Sequence, residues 1–278
     1  MPHKSRQWRA ILNLSWALKP KGGETEVPSV NASSVKLAPR GAMDQIGHVL
    51  QRLIHAVATA PEGCKIYFAK WDIKDGFWQM VSEQGAEWNF CYTITAPDRT
   101  RKVVKPMSLQ MGFIDSGGFF GVASETARDV SQVYAQAPMG SLPPHKFEKY
   151  TKTHKDYLAL PESTSNDDSL HFSLEVYVDD FIGAAAARSR RQLDHVGRAN
   201  LHGIHDVFPP AQIDEEDPNS LKKLRKGDGA WALDKDLLGF DFDGDHRTMI
   251  LDTQKREVLL NKLKEWTRAA KAHPVQLA

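Results

Sequence analysis

Glu175-Val-Tyr-Val-Asp-Asp-Phe-Ile-Gly183 decides how this chain is read: two adjacent acids, Asp179 and Asp180, lie between two short apolar runs. Val176, Tyr177, Val178, Phe181 and Ile182 are β-branched or aromatic and favour strands, whereas an Asp pair favours a turn. The segment therefore predicts a tight β-hairpin with both acids at its tip. Carboxylates beside apolar strands repel each other and resist desolvation, and a divalent cation is a natural counter-charge. An Asp pair at a surface turn is also ordinary. Matching parts elsewhere in the chain decide between the two.

The 278 residues suffice for one large domain or two modest ones with a core. No run approaches the roughly 18 to 20 apolar residues of a membrane span, and Met-Pro-His-Lys-Ser-Arg6 lacks the apolar centre of a secretory signal. A location in cytoplasm or nucleus, without membrane contact, is expected. Cys64 and Cys91 form no CxxC pair and read as buried thiols. The net charge of +1 conceals an uneven distribution: Lys4, Arg6, Arg9, Lys19, Lys21, Lys36 and Arg40 crowd one end, and Lys255, Arg256, Lys262, Lys264, Arg268 and Lys271 the other. Acids gather between them, including Asp214 to Asp217. Basic ends around an acidic centre suit a polyanion held over a metal site, and equally suit solvated helix faces.

Along the chain, Trp8, Ala10, Leu12 and Leu14 alternate with Arg9, Ile11 and Asn13, as in a strand with a cationic face. Residues 19 to 42 read as an exposed loop, and Met43 to Ala60 as a core-packing helix ended by Pro61 and Gly63. Lys65 to Ile73 predicts a strand containing the acid Asp72. Trp88 to Ile94 and Lys102 to Ser108 suggest a hairpin across a turn at Ala96. Gly112, Gly117 and Gly118 lead into a helix from about Phe119 to Gln136, and residues 136 to 170 read as a polar insertion with little core. A helix is expected over Ala185 to Val207, carrying His195, His202 and His205; spacing alone makes these a weak metal site. A basic turn-rich stretch at Leu221 to Gly229, a hairpin over Trp231 to Phe242 with Thr248 to Leu251, and a helix over Thr253 to Ala272 complete the chain.

Interleaved strands and helices with antiparallel hairpins imply an α+β fold, which can bring Asp72 and Asp179 together from separate elements. Two-metal phosphoryl transfer needs such carboxylates, about 3.5 to 4 Å of metal separation being typical. In this order the motifs resemble the fingers and palm of a reverse transcriptase of eukaryotic retrotransposons. Trp8-Arg9-Ala-Ile-Leu-Asn-Leu-Ser15 resembles the fingers strand and Asp72-Ile-Lys-Asp-Gly-Phe77 the first palm motif. Leu109-Gln-Met-Gly-Phe113 with Ser116-Gly-Gly118 resembles the second, Tyr177-Val-Asp-Asp180 the most diagnostic one, and Leu237-Leu-Gly-Phe240 the primer-gripping hairpin. Asn13 stands where the family commonly has Asp, Gln110-Met111 replaces a Pro followed by Gln or Phe, and Gly117 replaces a frequent Pro.

The resemblance implies an RNA-directed DNA polymerase that adds dNTPs to a primer on an RNA or DNA template. Asp72, Asp179 and the Ile73 carbonyl would hold two Mg2+ ions, with Mn2+ an alternative, and Asp180 would be a supporting catalytic acid. Arg9 and Lys4 would meet the triphosphate, Phe77 would exclude a 2′-hydroxyl, and Met111 and Gly112 would face the nucleotide. Tyr177, Leu238 and Gly239 would contact primer and template.

The implied architecture is a palm, a ferredoxin-like antiparallel sheet backed by helices, with partial fingers and a short thumb-like end. Its divisions are 1–60, partial fingers and first palm helix; 61–110, palm strands and fingers hairpin; 111–252, the remaining palm with its insertion at about 137–170 and grip hairpin; and 253–278, the start of a thumb or connection helix. No segment resembles RNase H, integrase or protease, so the chain reads as a fragment of a larger polyprotein. The alternative is a truncated, catalytically inactive remnant that only binds nucleic acid. An RNA-templated RNA polymerase is disfavoured by Phe77 and Val178.

Overall fold

The computed structural model describes residues 12–17, 27–34, 36–165 and 167–268. It is a mixed α+β structure with small antiparallel sheets. In chain order the helices are α1 (Val30–Ser33), α2 (Gly41–Ile46), α3 (Val49–Thr59), α4 (Ser116–Gln136), α5 (Lys155–Leu158), α6 (Arg190–Val207), α7 (Leu221–Arg225) and α8 (Thr253–Arg268). The strands are β1 (Lys65–Asp72), β2 (Tyr92–Thr95), β3 (Arg101–Val104), β4 (His171–Tyr177), β5 (Asp180–Ala187), β6 (Asp234–Leu237), β7 (Phe240–Asp243) and β8 (Thr248–Leu251).

The central sheet has the order β1-β5-β4, with β2-β3 and β6-β7-β8 as separate antiparallel sheets. Strand pleating sends alternate side chains to opposite faces, and the central sheet is buried on both. Tyr67, Ala69, Trp71, Phe181, Ala185 and Ala187 join the core formed with α4 and α6. Ile66, Phe68, Ile182, Ala184 and Ala186 pack instead with Val49 and Leu53 of α3 and with Leu237 and Phe242 of the β6-β7 hairpin. The outer edge of β1 is also satisfied: Phe68 exchanges backbone hydrogen bonds with Ala232, and Ile66 and Lys70 donate to Gly244 and Asp228.

Helices α4 and α6 pack closely because small residues face each other. A methyl group on Gly203 would lie 2.2 Å from Ser131 Oγ and 2.7 Å from Ser131 N, so the crossing admits hydrogen alone. Gly203→Ala is expected to cost about 2 kcal/mol through overpacking and to lower the melting temperature by roughly 4–8 °C. A thermal melt with no shift would mean that the helices part without penalty.

Several elements differ from the sequence expectations. The helix over Met43 to Ala60 divides into α2 and α3 at Gly47 and His48. The strand expected from Trp88 is a 3-10 turn over Ala86–Phe90 followed by the short β2. Ala185 to Ala187, expected as the start of a helix, form the end of β5 instead, where small side chains let both core layers approach the sheet; α6 starts only after the Ser189 cap. The stretch 136–170 is no bare loop: Phe147, Tyr157, Thr151 and Glu148 are buried, and α5 lies within it. Arg198 of α6 grips Glu148 with two hydrogen bonds of 2.8 Å, and Lys152 spans Glu148 and Asp194 at 2.6 and 2.8 Å. Cys64 is buried as expected, whereas Cys91 is half-buried. Among the described residues no helix is long and apolar enough to cross a membrane.

Candidate active site

Strands β4 and β5 form the expected hairpin, with Tyr177 paired to Asp180 and only Val178 and Asp179 in the turn. Asp180 is therefore the first residue of β5 rather than part of the tip, and its register partner on β1 is Asp72. The two acids share the sheet face that carries Ile66, Phe68 and Ile182 further along, and Tyr177 stands beside them, 42% exposed. Val178 has φ +59°, the left-handed region that a β-branched side chain rarely adopts. A two-residue turn of this hand ordinarily takes Gly in that position. Holding Val178 there costs on the order of 1–3 kcal/mol, strain of a kind that collects at functional sites.

Asp72 is fixed from behind by backbone. Ile73 donates its N–H to Asp179 O at 2.9 Å, and Ser220 donates to Asp72 O at 2.9 Å. Lys74 donates to Pro218 O at 2.7 Å, so residues 218–220 run alongside 72–74 as a further short bridge. That segment is held in turn by the fully buried Asp217, which accepts from Asn219 N at 3.0 Å, lies 2.8 Å from His205 Nε2 and forms an ion pair with Lys146 at 2.9 Å.

Two lysines complete the cluster. Lys223 of α7 hydrogen-bonds Asp72 Oδ1 and lies 3.7 Å from Asp180 Oδ1, while Lys70 of β1 is 3.8 Å from the same Asp180 oxygen. That oxygen is sealed from solvent and makes no hydrogen bond. Burial pushes the Asp72 carboxyl up to about 7; Lys223 opposes the shift, and the charges of Asp179 and Asp180 reinforce it. Burial works against the Lys223 ammonium as well, yet Asp72, Asp180 and Asp179 together raise its pKa. Further back, Lys235 donates to Gly227 O and Ala230 O, and burial brings it down to about 8.

The sequence-derived site residues are distributed as follows. Asp72, Ile73, Asp179, Asp180 and Tyr177 come together at the ends of β1, β4 and β5. Phe77 follows in a 3-10 turn, its ring 5.3 Å from Phe120 of α4, and Gly76 has no room for a side chain against that same ring. Met111 and Gly112 lie in the loop before α4, where Gly112 has φ +97° and its carbonyl accepts from Asn31; Leu109 N–H to Met80 O ties that loop to the segment after Phe77. Leu238 and Gly239 form the β6-β7 turn, both with positive φ, on the hairpin that packs over the α3 side of the sheet. Lys4 and Arg9 lie outside the described residues, as do residues 8–11 of the expected fingers strand; its described part, residues 12–15, is not a strand but leads into a turn closed by Trp16 N–H to Asn13 O at 3.2 Å.

The three helical histidines do not form a ligand set. His195 bonds Ala135 O, His202 bonds Pro143 O, and His205 sits between His145 and Asp217. Burial and the neighbouring imidazoles push His145 down to about 3, so it is neutral at ordinary pH. Sequence reasoning missed Lys70, Lys223 and Lys235. The alternation Lys70-Trp71-Asp72 could have found the first, since residues two apart in a strand share a face. Lys223 lies in a basic turn with no pattern that points at Asp72.

Among the described residues no three His, Cys, Asp or Glu side chains converge as a ready ligand shell. The carboxylates are gathered about the Lys223 ammonium instead. Their chemistry still fits a hard divalent cation: Asp72 and Asp180 are register partners on adjacent strands, one ammonium reaches an oxygen of each, and Asp180 Oδ1 is sealed without a hydrogen bond. No protein-family model matches the chain, and no curated protein matches it.

Proposed function

We propose that the chain is the palm-centred core of an RNA-directed DNA polymerase, which transfers deoxynucleotides to a primer 3′-hydroxyl. The observation that carries this reading is the register of Asp72 opposite Asp180 across β1 and β5, with Asp179 in the adjoining strained turn. Asp72 and Asp179 would hold Mg2+, with the Ile73 carbonyl and Asp180 in support. The bound ions would supply acidification of the primer hydroxyl and neutralisation of the departing pyrophosphate.

The chain's own residues have the remaining work. Tyr177, exposed beside Asp180, would offer an aromatic surface under the primer terminus. Phe77, braced by Phe120, would face the sugar and leave no space for a 2′-hydroxyl. The loop at Met111 and exposed Gly112 would face the incoming nucleotide, and Arg9 with Lys4 would meet the triphosphate from the fingers. Leu238 and Gly239 would grip the primer. The β2-β3 hairpin adds Arg101 and Lys102 beside exposed Val103, and Trp88 lies under the Lys105 ammonium, a mixture of basic and apolar surface suited to nucleic acid.

The decisive experiment is primer extension by the purified chain with Mg2+, comparing deoxyribo- with ribonucleotides. Deoxynucleotide incorporation that stops with chelator supports the reading, and ribonucleotide preference would move it to an RNA polymerase. Salt-sensitive nucleic-acid binding without extension would leave a binding remnant.

A further inference from the structure

The cation that the structure places among the carboxylates is a lysine. Its ammonium makes a hydrogen bond with Asp72 Oδ1 and lies 3.7 Å from Asp180 Oδ1, so one side chain spans both register partners. The placement is built rather than incidental. Residues 218–220 are hydrogen-bonded along Asp72 and Lys74, α7 begins at once with Leu221, and buried Leu221 and Leu224 seat that helix so that Lys223 returns to the acid. Buried Asp217, held by His205 and Lys146, anchors the start of the same segment.

We propose that Lys223 is the resident counter-cation of the Asp72–Asp180 pair, which a divalent cation must displace to bind. This rests on the metal site proposed above. Mg2+ and Mn2+ require carboxylate lone pairs at close range, and the lone pair on Asp72 Oδ1 that takes the ammonium proton cannot serve both. Lys70, 3.8 Å from Asp180, adds a second ammonium, so with Lys223 still in place two of the cluster's three carboxylate charges are already balanced and the pull on an entering divalent ion is weakened. The Lys223 side chain is 40% exposed and has a flexible stem, so it can swing into solvent without unpacking α7. Lys223 thus keeps the acids together in the metal-free protein and sets the affinity at which metal enters.

The test is direct Mn2+ binding by electron paramagnetic resonance on the full chain, together with thermal unfolding in chelator and in saturating Mn2+. Lys223→Gln is expected to bind Mn2+ on the order of tenfold more tightly, as loss of a competing half-buried ion pair implies. Lys222→Gln, which removes the same charge from an exposed neighbour, is expected to leave affinity within about twofold, because exposed charges couple weakly. Lys223→Arg, which keeps the charge, is expected to bind no more tightly than the unaltered chain. In chelator Lys223→Gln melts lower than the unaltered chain, and Mn2+ closes the gap. Equal affinities for Lys223→Gln and Lys222→Gln would overturn the proposal while leaving the metal site intact. Failure of every form to bind Mn2+, with a melting deficit in Lys223→Gln that the metal does not change, would overturn the metal site and the proposal together.

Discussion

Asp72→Asn is expected to extinguish primer extension, by at least roughly 10³-fold, and to raise the melting temperature of the metal-free protein at pH 8. The opposite signs come from one feature. Asp72 is buried at the end of β1, close to two further acids, and its pKa rises from an ordinary 3.8 to about 7. A carboxyl whose folded-state pKa lies above its unfolded value stabilises the fold while protonated, and that stability is lost as pH climbs through the folded value. Between about pH 4 and pH 7 the unaltered chain should therefore weaken in chelator. Asn cannot ionise, so the variant should follow a flatter curve and exceed the parent at pH 8 by about 1–2 kcal/mol, the loss of Lys223's partner offsetting part of the gain. Asp179→Asn is expected to remove extension as completely. Extension that survives either change would refute the site; a variant less stable than the parent at pH 8 would refute the electrostatic account.

Glu148→Gln should produce the largest loss of stability away from the site, about 3 kcal/mol at pH 7, because removing one member of a buried ion pair strands its partners. Glu148 is 6% exposed and holds both Arg198 of α6 and Lys152, thereby pinning the 137–170 stretch to the domain. Burial opposes its charge, but hydrogen bonds from Arg198 and Lys152 prevail and carry the carboxyl from 4.5 down to about 2. A depressed acid contributes stability that is complete above its unfolded value and disappears as pH falls through the folded one. Urea titrations should therefore show a large difference between parent and variant at pH 7 that shrinks between pH 4.5 and pH 2. A difference of the same size at both ends would mean that shape, not charge, joins the segment to α6.

The strain at Val178 fits the same picture. Gly there would relax the turn, because it adopts positive φ at no steric cost. The backbone bond from Ile73 N–H to Asp179 O makes the turn and the end of β1 one unit, so a shift in the turn moves both acids.

By itself the sequence determined the hairpin, the strand that carries Asp72 and the helix after the glycine turn, because apolar periodicity and turn chemistry are local and survive without tertiary context. It also singled out Asp72, since an acid inside an apolar strand is improbable without a partner, whereas Asp179 and Asp180 gained their weight only from the ordered motifs around them. Tertiary structure alone decided the rest. Ala185 to Ala187 became strand because β5 is paired with β1 on one side and β4 on the other and is buried on both faces, a tertiary context that overrides local helical preference. The stretch 137–170 became part of the core because Phe147 and Tyr157 find α6 and its neighbours only in three dimensions. Above all, Lys223 meets Asp72 across 218–220, a short bridge between distant parts of the chain. Such a contact follows from the register of paired backbones, and no local pattern of residues encodes it.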